Sequence, residues 1–150
     1  QQKKREKKKR ERKKISDTMK NITWTFFTQN QNNKEKAQKV AQLLLAQMPD
    51  SELVALEKYW KIKNSYNFTI STNLGEDDFD TAVLKCLKLS SKICGRWQVW
   101  YNEEWEKFGM DFNKTKRSSF GRIEFNVITT IFAEIDFEHF NTNQSDETKG

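Results

Sequence analysis

The hydrophobic positions of this chain change period several times, and each change marks an element. Residues 22–29 (Ile-Thr-Trp-Thr-Phe-Phe-Thr-Gln) are dense in β-branched and aromatic side chains and run into the polar stretch 30–33, which predicts a strand and a turn. From Asn33, the positions Ala37, Val40, Ala41 and Leu44 recur at three-to-four spacing until Pro49 stops them, which predicts a helix capped by Asn33 and reaching Met48. A second helix is expected over residues 51–63, with Leu53, Leu56 and Trp60 on one stripe and Lys58, Lys61 and Lys63 elsewhere, so that the two helices form an antiparallel pair.

In residues 66–74 the period drops to two, with Tyr66, Phe68 and Ile70 alternating against Asn67, Thr69 and Ser71, the pattern of a half-buried strand. The clearest helix follows Gly75. Glu76, Asp77, Asp78 and Asp80 crowd its first turn, Phe79, Ala82, Val83, Cys86, Leu87 and Ile93 form its apolar side, and Gly95 lies just past its end. The acidic cluster reads as helix capping rather than a metal site, because neither a D-x-D-x-D-G loop nor a partnering His accompanies it.

Residues 96–102 predict a third strand with an indole on each face, Trp97 on one and Trp100 on the other, so both faces are expected to be covered. A less regular stretch around Trp105, Phe108, Met110 and Phe112 and a turn at 113–119 follow. Period two then holds from 122 to 138 with no Gly or Pro to reverse the chain, which predicts one long, bent strand.

The expected order is therefore β α α β α β β. It is an α+β fold, a single domain with a mostly antiparallel sheet and helices packed on one face. The domain is expected over residues 15–140, preceded by a basic arm at 1–14 and followed by a polar tail at 141–150 that should fray. A chain of 150 residues buries roughly 70% of its unfolded surface, enough for a core without disulfides.

Charge changes the picture most at the N-terminus. Lys3, Lys4, Arg5, Lys7, Lys8, Lys9, Arg10, Arg12, Lys13 and Lys14 stand against Glu6 and Glu11, a net of +8. The whole chain has 27 basic and 21 acidic residues, so the remainder has 17 against 19, or −2. A near-neutral body with a cationic arm implies a tether, an address or a nucleic-acid-binding arm.

Candidate chemistry is scarce. His139 is the only histidine, and no Ser or Cys motif surrounds it, so nucleophilic catalysis and paired-His metal centres have no supply. Gly75, Gly95, Gly109, Gly121 and Gly150 make neither a P-loop nor a dinucleotide fingerprint, and no cofactor or small-molecule substrate is implied. Cys86 and Cys94 are too few for a disulfide scaffold and lack zinc spacing. Glu134, Asp136 and Glu138 alternate on one strand face where two carboxylates could hold Mg²⁺, yet the solvent side of a half-buried strand has the same pattern, and that reading is preferred. No apolar run is long enough for a membrane span, and the chain is expected to be intracellular, cytoplasmic or nuclear.

Two functions remain. The first is a non-enzymatic protein that binds RNA or DNA through the arm and through a basic turn, Lys114, Lys116 and Arg117 with Phe120 and Arg122. Residues 120–125 (Phe-Gly-Arg-Ile-Glu-Phe) partly resemble the aromatic strand motif of RNA-recognition-motif domains. Phe120, Gly121, Ile123 and Phe125 fit, but Ser118, Ser119 and Arg122 stand at the basic, glycine and second stacking positions, so membership is not assigned. The second function is a protein-interaction subunit that docks through its long last strand and surplus aromatics, with the arm as a solvated helix or nuclear address.

Overall fold

The computed structural model describes residues 20–102 and 104–136; the arm at 1–14, the tail at 141–150, Glu138 and His139 lie outside them. The strand expected first is β1, Asn21–Thr28, with Ile22, Trp24, Phe26 and Thr28 buried and the alternate positions half-buried. Helix α1, Lys34–Gln47, starts where Asn33 accepts a hydrogen bond from the Lys36 amide at 2.9 Å, and it buries Ala37, Val40, Ala41 and Leu44 as the spacing requires. Helix α2, Phe79–Ile93, is capped by Asp78, which accepts from the Thr81 amide at 2.8 Å. Hydrogen bonding from the Thr81 side chain, and then from its amide, holds the Asp78 carboxyl below its ordinary pKa, so the acidic cluster at this end includes a working cap.

The second expected helix does not form. Residues Ser51–Lys58 are strand β2, which turns through a loop at 59–65, exposed at 60–63, and pairs with β3, Tyr66–Asn73, from Ser51 opposite Thr72 to Lys58 opposite Tyr66. Leu, Ala, Glu and Lys favour a helix by only tenths of a kcal/mol per residue. Backbone pairing along the exposed side of β3 outweighs that preference, and the left-handed turns at Asp50 (φ 60°) and Asn64 (φ 58°) bring the chain into and out of the hairpin. The pair of helices is thus replaced by one helix and one hairpin.

The stretch that looked irregular is also a strand. β4, Gln98–Asn102, and β5, Lys107–Asn113, form a second hairpin in which Phe108, Met110 and Phe112 alternate into the core. The long final strand is shorter than its pattern. Residues Ile123–Val127 form a 3₁₀ turn, and β6 runs only over Ile128–Asp136. A register shift at Phe27 and Thr28 of β1 puts Ile128 rather than Thr129 into the core. The alternation therefore breaks inside an unbroken period-two run: Ile123 and Phe125 share one parity, yet the first is exposed and the second fully buried, and Ile128 is buried on the other parity.

The order is β α β β α β β β in place of β α α β α β β, and the α+β class holds. The six strands form one antiparallel sheet in the order β2-β3-β1-β6-β5-β4. Both helices share a single core with one face of it, centred on Trp24, Phe26, Phe68, Phe112 and Ile131. Gly121 is required by this packing. A Cβ there would sit 2.0 Å from the Lys92 backbone oxygen, because the Gly121 amide donates to Ile93 O at 2.9 Å and seals the end of α2. Gly121→Ala is expected to cost about 1–3 kcal/mol in a urea titration, since backbone rather than a side chain must yield.

The opposite face of the sheet has no covering element among the described residues. It bears Thr23, Thr25 and Phe27 from β1, Asn67, Thr69 and Ser71 from β3, Thr130, Phe132 and Glu134 from β6, and Trp100 from β4. Of the two indoles expected to be covered, Trp97 is: it packs 5.8 Å from Phe112 and 6.2 Å from Trp24 and donates to Cys94 O at 2.9 Å. Trp100 lies on the open face instead, flat over Gly109, where a Cβ would approach its Cζ2 to 2.1 Å.

Candidate nucleic-acid interface

The basic turn is built as a small rigid loop. Thr115 donates its amide to Ser118 Oγ at 2.7 Å, and the Ser118 amide returns to Thr115 O at 3.1 Å. The residues singled out there do different things. Lys114 donates to Asn126 O and sits 5.9 Å from the centre of the Phe120 ring, so it braces the loop. Phe120 packs edge-on against Phe112 at 5.6 Å and pairs with Cys94, so its ring belongs to the rim of the core rather than to a stacking platform. Arg122 holds Glu124 through two hydrogen bonds of 3.2 and 3.1 Å, which raise the guanidinium pKa and lower that of the carboxyl. Lys116 and Arg117 are exposed at the loop tip. Residues 120–125 form a bridge and a 3₁₀ turn, so the aromatic motif has no strand to stand on.

Antiparallel topology gathers far more cation at this end of the sheet than the turn alone. The loops after β1, β2 and β5 and the end of α2 all emerge there and are tied in series. Gln31 N donates to Asn64 O (2.9 Å), Gln29 N to Val127 O (2.9 Å) and Gly95 N to Ser119 O (3.0 Å). Lys34 and Lys36 open α1, Lys58, Lys61 and Lys63 flank and fill the β2–β3 loop, Lys88 and Lys92 close α2, and Arg96 precedes β4. With Lys114, Lys116, Arg117 and Arg122 that makes twelve cations against Glu35, Glu57 and Glu124, a net of +9. At the far end Asp50, Glu52, Glu76, Asp77, Asp78, Asp80, Glu104, Glu106 and Glu134 stand against Lys20, Lys107 and Lys85, which bonds Asp77 at 2.9 Å, a net of −6. A body that is near neutral in sum is strongly polarised along its strands.

The two most exposed apolar side chains of the described chain, Ile123 (86%) and Trp60 (81%), both project from the basic end. Trp60 carries the Lys61 ammonium 5.1 Å from its ring centre, and Ile62 beside it is exposed as well. Pattern reading placed Trp60 on the buried stripe of a helix; once β2 is a strand, the same residues become a loop in which Lys58, Lys61 and Lys63 interleave with Tyr59, Trp60 and Ile62. The signal that could have found it is the run Lys-Tyr-Trp-Lys-Ile-Lys ending on Asn64, a residue that accepts the left-handed turn.

Other chemistry is thin. No group of three His, Cys, Asp or Glu suited to a metal occurs among the described residues. Glu134 is exposed, as the solvent side of a strand should be. Both cysteines are free and buried, and burial pushes each thiol up to about 12. Cys86 therefore reads as the small core residue expected, with its Sγ 3.7 Å from Met110 Sδ. No described helix is long and apolar enough to cross a membrane. Comparison with protein-family models, curated proteins and solved structures gives no match.

Proposed function

We propose that this protein is a non-enzymatic binder of RNA or DNA, in which the basic end of the sheet positions an unpaired strand and the arm at 1–14 adds affinity without sequence choice. The observation that carries this reading is the segregation of charge: twelve cations converge on one end of the strands, around an indole that is 81% exposed. Each cation that reaches a phosphate releases condensed counterions, and an exposed indole offers a face on which any base can stack. The open face of the sheet fits this role less well, since Asp111, Glu134, Glu52 and Glu57 lie on or beside it and would repel phosphate.

The test is a fluorescence-anisotropy titration of two fluorescently labelled single-stranded oligonucleotides of one sequence, RNA and DNA, at several salt concentrations. Replacing Lys58, Lys61 and Lys63 with Ala is expected to flatten the slope of log K against log salt by about 2, three phosphate contacts at ~0.7 each. Trp60→Ala is expected to weaken binding by about 5- to 100-fold, the loss of one stacked base, with little change in slope. Because Trp60 is exposed, its stability control should stay within about 0.5 kcal/mol of the parent. Wild-type binding that ignores salt, or equal affinity in all three proteins, rejects the reading.

A further inference from the structure

The two edges of the sheet are unlike. Edge strand β2 is guarded: Glu52, Glu57 and Lys58 lie along it, and a register shift at Val54 breaks its line. Such charges and bulges are how proteins keep edges from pairing with another chain. Edge strand β4, Gln-Val-Trp-Tyr-Asn, has neither. It holds no charge and no irregularity, it is exposed along its whole length, and Val99 (52%) and Tyr101 (55%) leave half their surface in water. The Trp100 ring does not block approach, because Gly109 lets it lie back over β5.

We infer that β4 is the pairing edge of a two-fold symmetric dimer, in which β4 of one copy lies antiparallel to β4 of a second copy of this chain. The inference is independent of the nucleic-acid reading. Three features select this occupant. The first is self-complementarity. Centred on Trp100, an antiparallel register sets Gln98 opposite Asn102 of the partner subunit and Val99 opposite Tyr101 of the partner subunit. These are an amide pair and a β-branched–aromatic pair, and no two like charges meet. All five residues keep their face, whereas a one-residue slip would set core-side residues against open-face ones.

The second feature is charge at the ends of the strand. Arg96 precedes β4 and Glu104 follows it, so the same register brings Arg96 of each copy toward Glu104 of the partner subunit. The third is the polarity of the whole domain. The Phe79 ring lies 5.8 Å from Tyr101, which puts the acidic start of α2 beside the end of β4, while Lys92 and Arg96 lie beside its start. An antiparallel partner sets the +9 end of one copy beside the −6 end of the other; a parallel one would set like ends together. The product is one continuous sheet of twice six strands, with all helices on the same face.

An edge of five residues makes a small interface, so the dimer is expected to dissociate in the micromolar range, on the order of 1–100 µM. Sedimentation equilibrium of the full chain, without nucleic acid, should follow a reversible monomer–dimer equilibrium that weakens with salt. Val99→Lys should raise the dissociation constant by at least ~10-fold while the far-UV spectrum stays that of the parent. Arg96→Glu alone and Glu104→Arg alone should each weaken the dimer, and the double reversal should restore it, a rescue that no folding defect produces. A protein that stays monomeric to about 1 mM, or a dimer indifferent to Val99→Lys and to the charge reversals, overturns the inference.

Discussion

Deletion of residues 1–14 is expected to lower the affinity for single-stranded nucleic acid by about two to three orders of magnitude in low salt, and to remove most of the salt dependence. The segment has ten cations and a net charge of +8, and the body after it sums to −2, so the arm is the source of the chain's net positive charge. If half of its cations meet phosphate, the slope of log K against log salt falls by about 3–4 on removal, more than the loop lysines of the β2–β3 hairpin contribute. The chain enters β1 at Lys20, at the acidic end of the domain, opposite the basic loops. Distance does not separate the two sites: nineteen residues span up to ~60 Å when extended, against ~26 Å for an eight-residue strand. Arm and loops can therefore act on one bound strand, and their slopes should add. An unchanged affinity and slope in the 15–150 protein would show that the arm serves some other end.

Trp24→Ala is expected to be the most damaging single substitution, costing about 3–5 kcal/mol in a urea titration. Trp24 is fully buried on the third strand of the six, between Ile70 of β3 and Ala133 of β6. Its indole donates to Thr72 Oγ1 at 3.0 Å and meets Trp97 edge-on at 6.2 Å. Truncation removes the ring's contacts, leaves a cavity in the centre of the core, and deprives Thr72 of a donor, although Ser51 stays 2.6 Å from that hydroxyl. Domains of this size are stable by only ~5–15 kcal/mol, so the variant would stand near its unfolding threshold at 37 °C. A loss below about 1 kcal/mol would mean that the helices and sheet repack around the gap, contrary to the dense ring contacts seen there.

Both outcomes turn on features of different legibility. Trp24 could be read directly: a strand dense in aromatic and β-branched residues has to bury one face, and β1, β3 and both helix caps stand where the pattern put them, within a residue or two. The β2–β3 hairpin could not. Leu53, Leu56 and Trp60 satisfy a helical period as well as a strand would, and local preference is too weak to resist an available partner strand. The interior place of the last strand was hidden for a related reason. The period of β6 is that of any half-buried strand, and nothing in it says that β1 and β5 occupy both of its sides; the exposed edge falls instead to β4, whose five neutral residues looked like a covered strand.

Residue order alone sets the composition of each element, the cationic arm, the caps at Asn33 and Asp78, and the single histidine, because these depend on neighbours within a turn or on simple supply. The polarity of the domain, the exposure of Trp60, the broken alternation at the start of β6 and the unguarded edge at β4 arise only on assembly. Each depends on which loops an antiparallel sheet delivers to the same end and which strands it leaves outermost, and those are pairings between residues far apart in the chain.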